Sequence, residues 1–321
     1  MSASNVLVVA EHLDGVLAEV TFELLGLGRA LASAAGGKLE VALLGSGMDQ
    51  AASHLGGADR VLSVDHASLR GFHPEACVAA LVQVLTEHPA RTVLTSTTSM
   101  GMDLAAALAV RLQRPLIAYA QDARLEGDLL VATSQLYGGK LLVESAVEGD
   151  CVLSVLAGAN PAAAGRVDGS PEVVAVAAPA ALASCRLQWL EQIKPPAGDV
   201  DITQETVLVC VGRGIESEDN LPMAQELATA LGGAVCSSRP IVDNKWLPKT
   251  RQVGKSGLRV APKVYLALGV SGAPEHIEGM KDAGLIVAVN TDATAPIFEH
   301  AHYGTTEDLF DVVPALLEKL R

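Results

Sequence analysis

A strict alternation of two kinds of apolar segment constrains this chain more than any other feature. Residues 5–10, 39–44, 60–65 and 92–97 are short apolar or β-branched runs, and between them lie Ala/Leu-rich stretches at 19–35, 47–55, 74–87 and 102–112 with helical periodicity. Strands separated by helices of this length require right-handed crossovers, which predict a mostly parallel sheet. From 115 to about 178 the rhythm changes to PLIAYAQDARLEG, DLLVATSQLYGG, KLLVESAVEGD and CVLSVLAG. Strands broken by Gly and Asp turns predict antiparallel additions to the edge of the first sheet.

The stretch KPPAGDVDIT, residues 194–203, interrupts both periodicities and predicts a linker. The chain of 321 residues, half of them apolar, is long enough for two cores. The expectation is an α/β protein with a Rossmann-like N-terminal domain over 1–195 and a parallel-sheet C-terminal domain over 196–321. In the second, ETVLVCVG, a helix near 218–231, AVCSS, KVYLALGV, a helix near 275–282, LIVAVN and a final helix follow in turn. The final helix places Leu309, Val312, Val313, Leu316, Leu317 and Leu320 on one face. Pro314 inside it predicts a kink or a shifted start.

A net charge of −14 without clustered Lys/Arg runs opposes binding to a phosphate backbone, so nucleic acid is not expected as a partner. No run of about 18 apolar residues predicts membrane insertion, and a strand begins by residue 5, so no leader is expected. The five cysteines, Cys77, Cys151, Cys185, Cys210 and Cys236, have no CxxC spacing and read as buried thiols of a reducing cytoplasm rather than metal ligands. His54, His66, His73 and His88 accompany no nucleophile motif, and Glu216 and Glu218 read as a solvated helix start.

Open parallel sheets bind ligands beyond the carboxyl ends of their strands, and those ends carry the candidate chemistry. The first strand of the second domain ends in Arg213 and the second in Ser238 and Arg239. A loop holds Gln252, Val253, Gly254, Lys255 and Ser256; the third strand leads into Ser271, Gly272, Ala273, Pro274, Glu275 and His276; the fourth ends at Asn290. Small residues let backbone N–H groups approach a pyrophosphate, and Pro274 in a first helical turn needs no amide partner. One arginine alone would read as a solvated charge, but three cations at one sheet edge predict a phosphate-bearing ligand.

These motifs resemble the α subunit of electron transfer flavoproteins. The matching segments are QVGKSG (252–257), GVSGAPEH (269–276), GMK (279–281), VNTDATAPIF (289–298), and Tyr303-Gly304 followed by DLF (308–310). TSTTSMGMDLAAALAVRL and YGGKLLVESA in the first domain are similar to the family's equivalents. The resemblance implies FAD as cofactor, bound by the strand-end residues above together with Asp292, Asp308 and Leu309. It implies that Arg239 lies against the isoalloxazine, that the Ser256 hydroxyl addresses flavin N5, and that His276 lies near the O2 edge. These three are the candidate redox residues, with the cations raising the flavin potential. Lys255, Ser256, Glu275, Thr291 and His302 depart from the family's usual Gln, Thr, Gln, Lys and Asp; Lys255 and Glu275 could pair and cancel.

The resemblance further implies a heterodimer with a β subunit docked on an apolar face of the first domain. It implies an electron carrier rather than a stand-alone enzyme, running between dehydrogenases, such as acyl-CoA dehydrogenases, and a quinone oxidoreductase, with the FAD domain swivelling on the 194–203 linker. A bifurcating, NADH-oxidising variant and a redox-silent nucleotide-binding module stay open as alternatives.

Overall fold

The computed structural model describes residues 4–137, 140–187, 189–191 and 200–320. It divides into two compact units, Met1–Gln192 and Ile193–Arg321. Most of the predicted linker, 194–199, lies outside the described residues.

In the first unit nine strands form one sheet: β1 (Val6–Val9), β2 (Leu39–Gly45), β3 (Arg60–Asp65), β4 (Thr92–Ser96), β5 (Leu116–Glu126), β6 (Leu129–Leu136), β7 (Leu141–Glu148), β8 (Cys151–Val155) and β9 (Glu172–Ala175). Their order is β9-β3-β2-β1-β4-β8-β5-β6-β7. All pairs are parallel except β5/β6 and β6/β7. The expectation of antiparallel additions therefore holds for β6 and β7 and fails for CVLSV. That run is β8, inserted in parallel between β4 and β5. All five of its residues are buried, as a strand covered on both faces requires. The helices Glu19–Ala35 (α1), Pro74–Glu87 (α2) and Ser99–Leu112 (α3) cover the sheet. The predicted helix over 47–55 shrinks to Asp49–Ser53. Helix α3 starts three residues before its predicted start because the Thr98 hydroxyl accepts from Gly101 N–H and caps it.

Several polar residues of this unit are spent on the fold. His66 and His73 accept backbone N–H groups at helix starts. His73, Glu75 and Cys185 are close enough to share an ion, but His73 Nδ1 accepts from Ala76 N–H and its Nε2 meets the Leu187 carbonyl at 2.6 Å. Buried Glu11 is bonded by Ser96 and Thr98. Its carboxyl is pushed above the usual range by burial, against the pull of those two hydroxyls. Cys77, Cys151, Cys210 and Cys236 are buried as expected, whereas Cys185 is only half-buried.

The second unit is a fully parallel five-stranded sheet: β10 (Val207–Val211), β11 (Ala234–Ser237), β12 (Val264–Leu268), β13 (Leu285–Val289) and β14 (Tyr303–Thr305). The order is β11-β10-β12-β13-β14, so the chain steps from β10 to β11 on one side and then crosses to β12 on the other. Strand β14 is too short and polar to be read from sequence. Alternate strand residues feed two cores. Leu208, Cys210, Cys236, Tyr265 and Ala267 lie on one face; Val209, Val211, Val235, Leu266 and Leu268 lie on the other. Helix α4 (Leu221–Ala230) and helix α5 (Leu309–Leu320) cover the latter. Pro314 is the sixth residue of α5, so it does not set the helix start. Leu309, Val313 and Leu317 are buried on this helix, while Leu320 is exposed. The expected helix over 275–282 is a single turn, Pro274–Ile277. Two residues past its end lies Gly279, where an added Cβ would be 2.4 Å from the Gly254 backbone nitrogen.

Candidate functional site

The switch from β10 to β11 on one side and β12 on the other leaves a crevice at the strands' carboxyl ends. A cavity of about 840 Å³ opens there, within the range of cofactor sites. It is lined by Arg213, Ser238, Arg239, Gln252, Val253, Gly254, Lys255, Ser256, Ser271, Ala273, Glu275, His276, Asn290, Asp292, Asp308 and Leu309. Six separate segments thus bring together residues spread over about a hundred positions. Gly272 and Pro274 do not line it. The space beside Gly272 is taken instead by the chain at Ile297, whose backbone nitrogen would be 2.3 Å from an added Cβ.

Local bonds explain how the loops hold their shape. Gly254 has φ +133° and lets the 252–257 loop lie on the 275–276 turn, where an added Cβ would be 2.8 Å from the Glu275 carbonyl oxygen. Lys255 N–H donates to that same carbonyl at 2.7 Å. The Asn290 amide donates to the Val270 carbonyl at 2.9 Å, and Asn290 Oδ1 accepts from Asp292 N–H. The Asp292 carboxyl is held below the usual range by the Thr294 hydroxyl and then the Thr294 N–H. Asp308 accepts from Phe310 N–H at the start of α5. Arg239 pairs with Asp243 one helical turn on, at 3.2 Å, with both side chains exposed.

Sequence reasoning missed Glu216, Asp243, Thr291 and Phe310, which also line the cavity. Glu216 was read as solvated, and it is exposed. Its φ of +65° marks a sharp turn after the first strand, a conformation that costs a non-glycine residue free energy. Lys249 was missed too. Its ammonium donates to Gln252 Oε1 at 2.8 Å and to the Ser256 carbonyl at 2.6 Å, while Gln252 Nε2 donates to Ser256 Oγ at 2.8 Å.

His276 is buried in the wall. Its Nε2 lies 3.0 Å from the Tyr265 hydroxyl and 3.8 Å from Cys210 Sγ. Its Nδ1 makes no full hydrogen bond among the described residues, although the nearby Val253 carbonyl also favours a charged ring. Cys210 and Cys236 are directly paired across β10 and β11. Burial opposes ionisation of Cys210, but Cys236 and His276 outweigh it and its thiol is lowered. Burial and the neighbouring sulfur push Cys236 and Tyr265 the other way. The three acids oppose one another's ionisation and titrate as one set. Burial depresses the His276 ring and Cys210 more than restores it, leaving its pKa raised. A raised value contributes stability that is full below the ordinary histidine range and is lost as pH rises through the folded value. Cys210→Ala removes the group that raises the imidazole pKa, so the His276 midpoint should fall when its ring is followed by NMR against pH. An unmoved midpoint would place the charge elsewhere.

A second cavity, of about 880 Å³, opens in the first unit. Its arginines are engaged: Arg166 pairs with Glu19 and lies over Phe22, and Arg70 lies over Trp189. The site in the second unit is therefore the better candidate.

Comparison with known proteins points to the same place. Residues 201–281 match the family described as Electron transfer flavoprotein FAD-binding domain, and residues 6–181 match the Electron transfer flavoprotein domain. The chain is 35% identical to an electron transfer flavoprotein subunit alpha of Mycobacterium tuberculosis, covering 99% of this chain and 98% of that one. It is 35% identical to the corresponding subunit of Methylophilus methylotrophus, covering 99% of each. With the subunit of Bacillus subtilis it shares 34% identity over 99% of this chain and 97% of the other.

Proposed function

The chain belongs to the electron transfer flavoprotein α-subunit family, electron carriers of redox chains rather than stand-alone enzymes, and on that premise we propose that its second unit holds FAD in the strand-end cavity. The observation that carries this reading is the convergence of six segments of the second unit on one cavity of about 840 Å³. The lining suits the cofactor: guanidinium groups, serine hydroxyls and a buried imidazole share one cavity wall with apolar Val270, Ala273 and Leu309.

FAD, when bound, supplies reversible storage of one or two electrons. The chain's residues supply the rest. Arg213, Arg239 and Lys255 offset the negative charge of the phosphates and of the reduced ring. Ser271 and Ala273 would offer backbone amides to the pyrophosphate. Because the turn at Pro274–Ile277 spans four residues, that contact would rely on individual amides rather than on a helix dipole. Ser256 and His276 address the ring, and Asn290 and Asp308 brace the loops. Gln252, Val253, Gly254, Glu275, Asp292 and Leu309 complete the wall.

In this reading the first unit docks a β subunit. The antiparallel arm supports it: Leu136, Tyr137, Leu141, Leu142 and Val143 are exposed together, more apolar surface than a free-standing sheet edge normally shows. Electrons then pass from a dehydrogenase to a quinone oxidoreductase or another acceptor. No helix among the described residues is long and apolar enough to cross a membrane.

The test is an absorbance spectrum of the chain co-expressed with its β partner, then stepwise anaerobic reduction. Flavin bands that bleach reversibly are expected. A colourless complex that takes up no added FAD would overturn the assignment.

A further inference from the structure

The segment 249–257 contains a hydrogen-bond chain whose direction is fixed at its first member, Lys249. A lysine ammonium can only donate. Lys249 Nζ sits 2.8 Å from one end of the Gln252 side-chain amide, so that end is the oxygen. The other end, Nε2, then faces Ser256 Oγ at 2.8 Å, and an amide NH2 also only donates. Ser256 Oγ therefore accepts, and its single proton is left over. Gln252 is buried to within 1%, so water cannot reorient its amide cheaply. The same ammonium holds the Ser256 carbonyl at 2.6 Å, tying both ends of the turn to one charge.

We propose that Lys249 and Gln252 are positioning residues that fix the Ser256 hydroxyl as a hydrogen-bond donor toward an acceptor atom of the flavin ring, N5 in its oxidised form. This rests on the FAD reading above. Without Lys249 the amide is free to turn over, its oxygen then takes the serine proton, and the ligand loses its donor. An exposed lysine that touches neither serine hydroxyl nor ligand thus decides which way the hydroxyl points.

The experiment compares two probes on the full chain with its partner subunit, stripped of flavin: FAD and 5-deaza-FAD, in which a carbon replaces N5. One neutral hydrogen bond corresponds to a preference for FAD of about fivefold. Wild type should show it, and Lys249→Arg, which still only donates, should keep it. Lys249→Met should bind both probes about equally, and Gln252→Met, which leaves no amide oxygen to take the serine proton, should keep the preference. Lys249 is exposed, so its substitution leaves the core intact, and the melting temperature of the unloaded protein checks this. Equal binding of both probes by wild type overturns the proposal while leaving the FAD assignment standing. So does a preference unchanged in Lys249→Met. Failure of either flavin to bind wild type sinks the FAD assignment, and this proposal with it.

Discussion

Gly272→Ala is expected to unfold the second unit at markedly lower temperature and to abolish flavin retention. Gly272 has φ +82°, and a Cβ there would lie 2.3 Å from the Ile297 nitrogen and 2.6 Å from its Cα. Both obstacles are backbone, so no side chain can rotate away. Ile297 N–H also donates to the Ser271 carbonyl at 3.1 Å, and the added methyl pushes that bond apart. Left-handed strain and overpacking together cost about 2–4 kcal/mol, a large share of a domain's stability. Gly232→Ala is the control. Gly232 also has a positive φ, +68°, but nothing lies within 4 Å of its missing Cβ, so only the conformational cost of about 1 kcal/mol applies. Equal melting losses for the two variants would show that the close approach to Ile297 contributes nothing.

Arg239→Ala should lower the one-electron potential of the bound flavin by about 60 mV. A unit charge about 4 Å from the ring at an effective dielectric near 20 contributes about 4 kcal/mol. Arg239 is exposed and already paired with Asp243, so about a third of that is a fair share, and a third converts to about 60 mV for one electron. Asp243→Asn should move the potential the opposite way by releasing the guanidinium. Potentiometric titration with reference dyes reads both; an unchanged value in Arg239→Ala would remove the residue from the redox role.

The parallel cores were legible because period and length speak locally: 19–35, 60–65 and 74–87 need no distant information. The strand-end rule then assembled most of the cavity wall without a contact map. What stayed hidden depends on partners far along the chain. CVLSV has the composition of a strand, but only the structure shows it paired with β4 and β5. The helical pattern of 275–282 yields a single turn, and Gly279 beyond it approaches Gly254. Tyr265 reads as an ordinary strand residue, and its contact with His276 follows from which face of β12 it occupies. Lys249 belongs to no motif, and only the structure places its ammonium on Gln252 and on the Ser256 carbonyl.

The sheet order has a thermodynamic corollary. Every strand of the second unit is parallel, so successive strands pair only after a crossover, and the strand-end loops are joined to each other mainly through the sheet beneath them. A ligand touching all of them adds direct cross-links between segments that are otherwise distant, and it does so only in the native state. Saturation at a hundred times the dissociation constant adds about 2.7 kcal/mol to that state. Cofactor supply during synthesis would then govern how much folded subunit accumulates, making protein abundance a readout of flavin availability before any electron is carried.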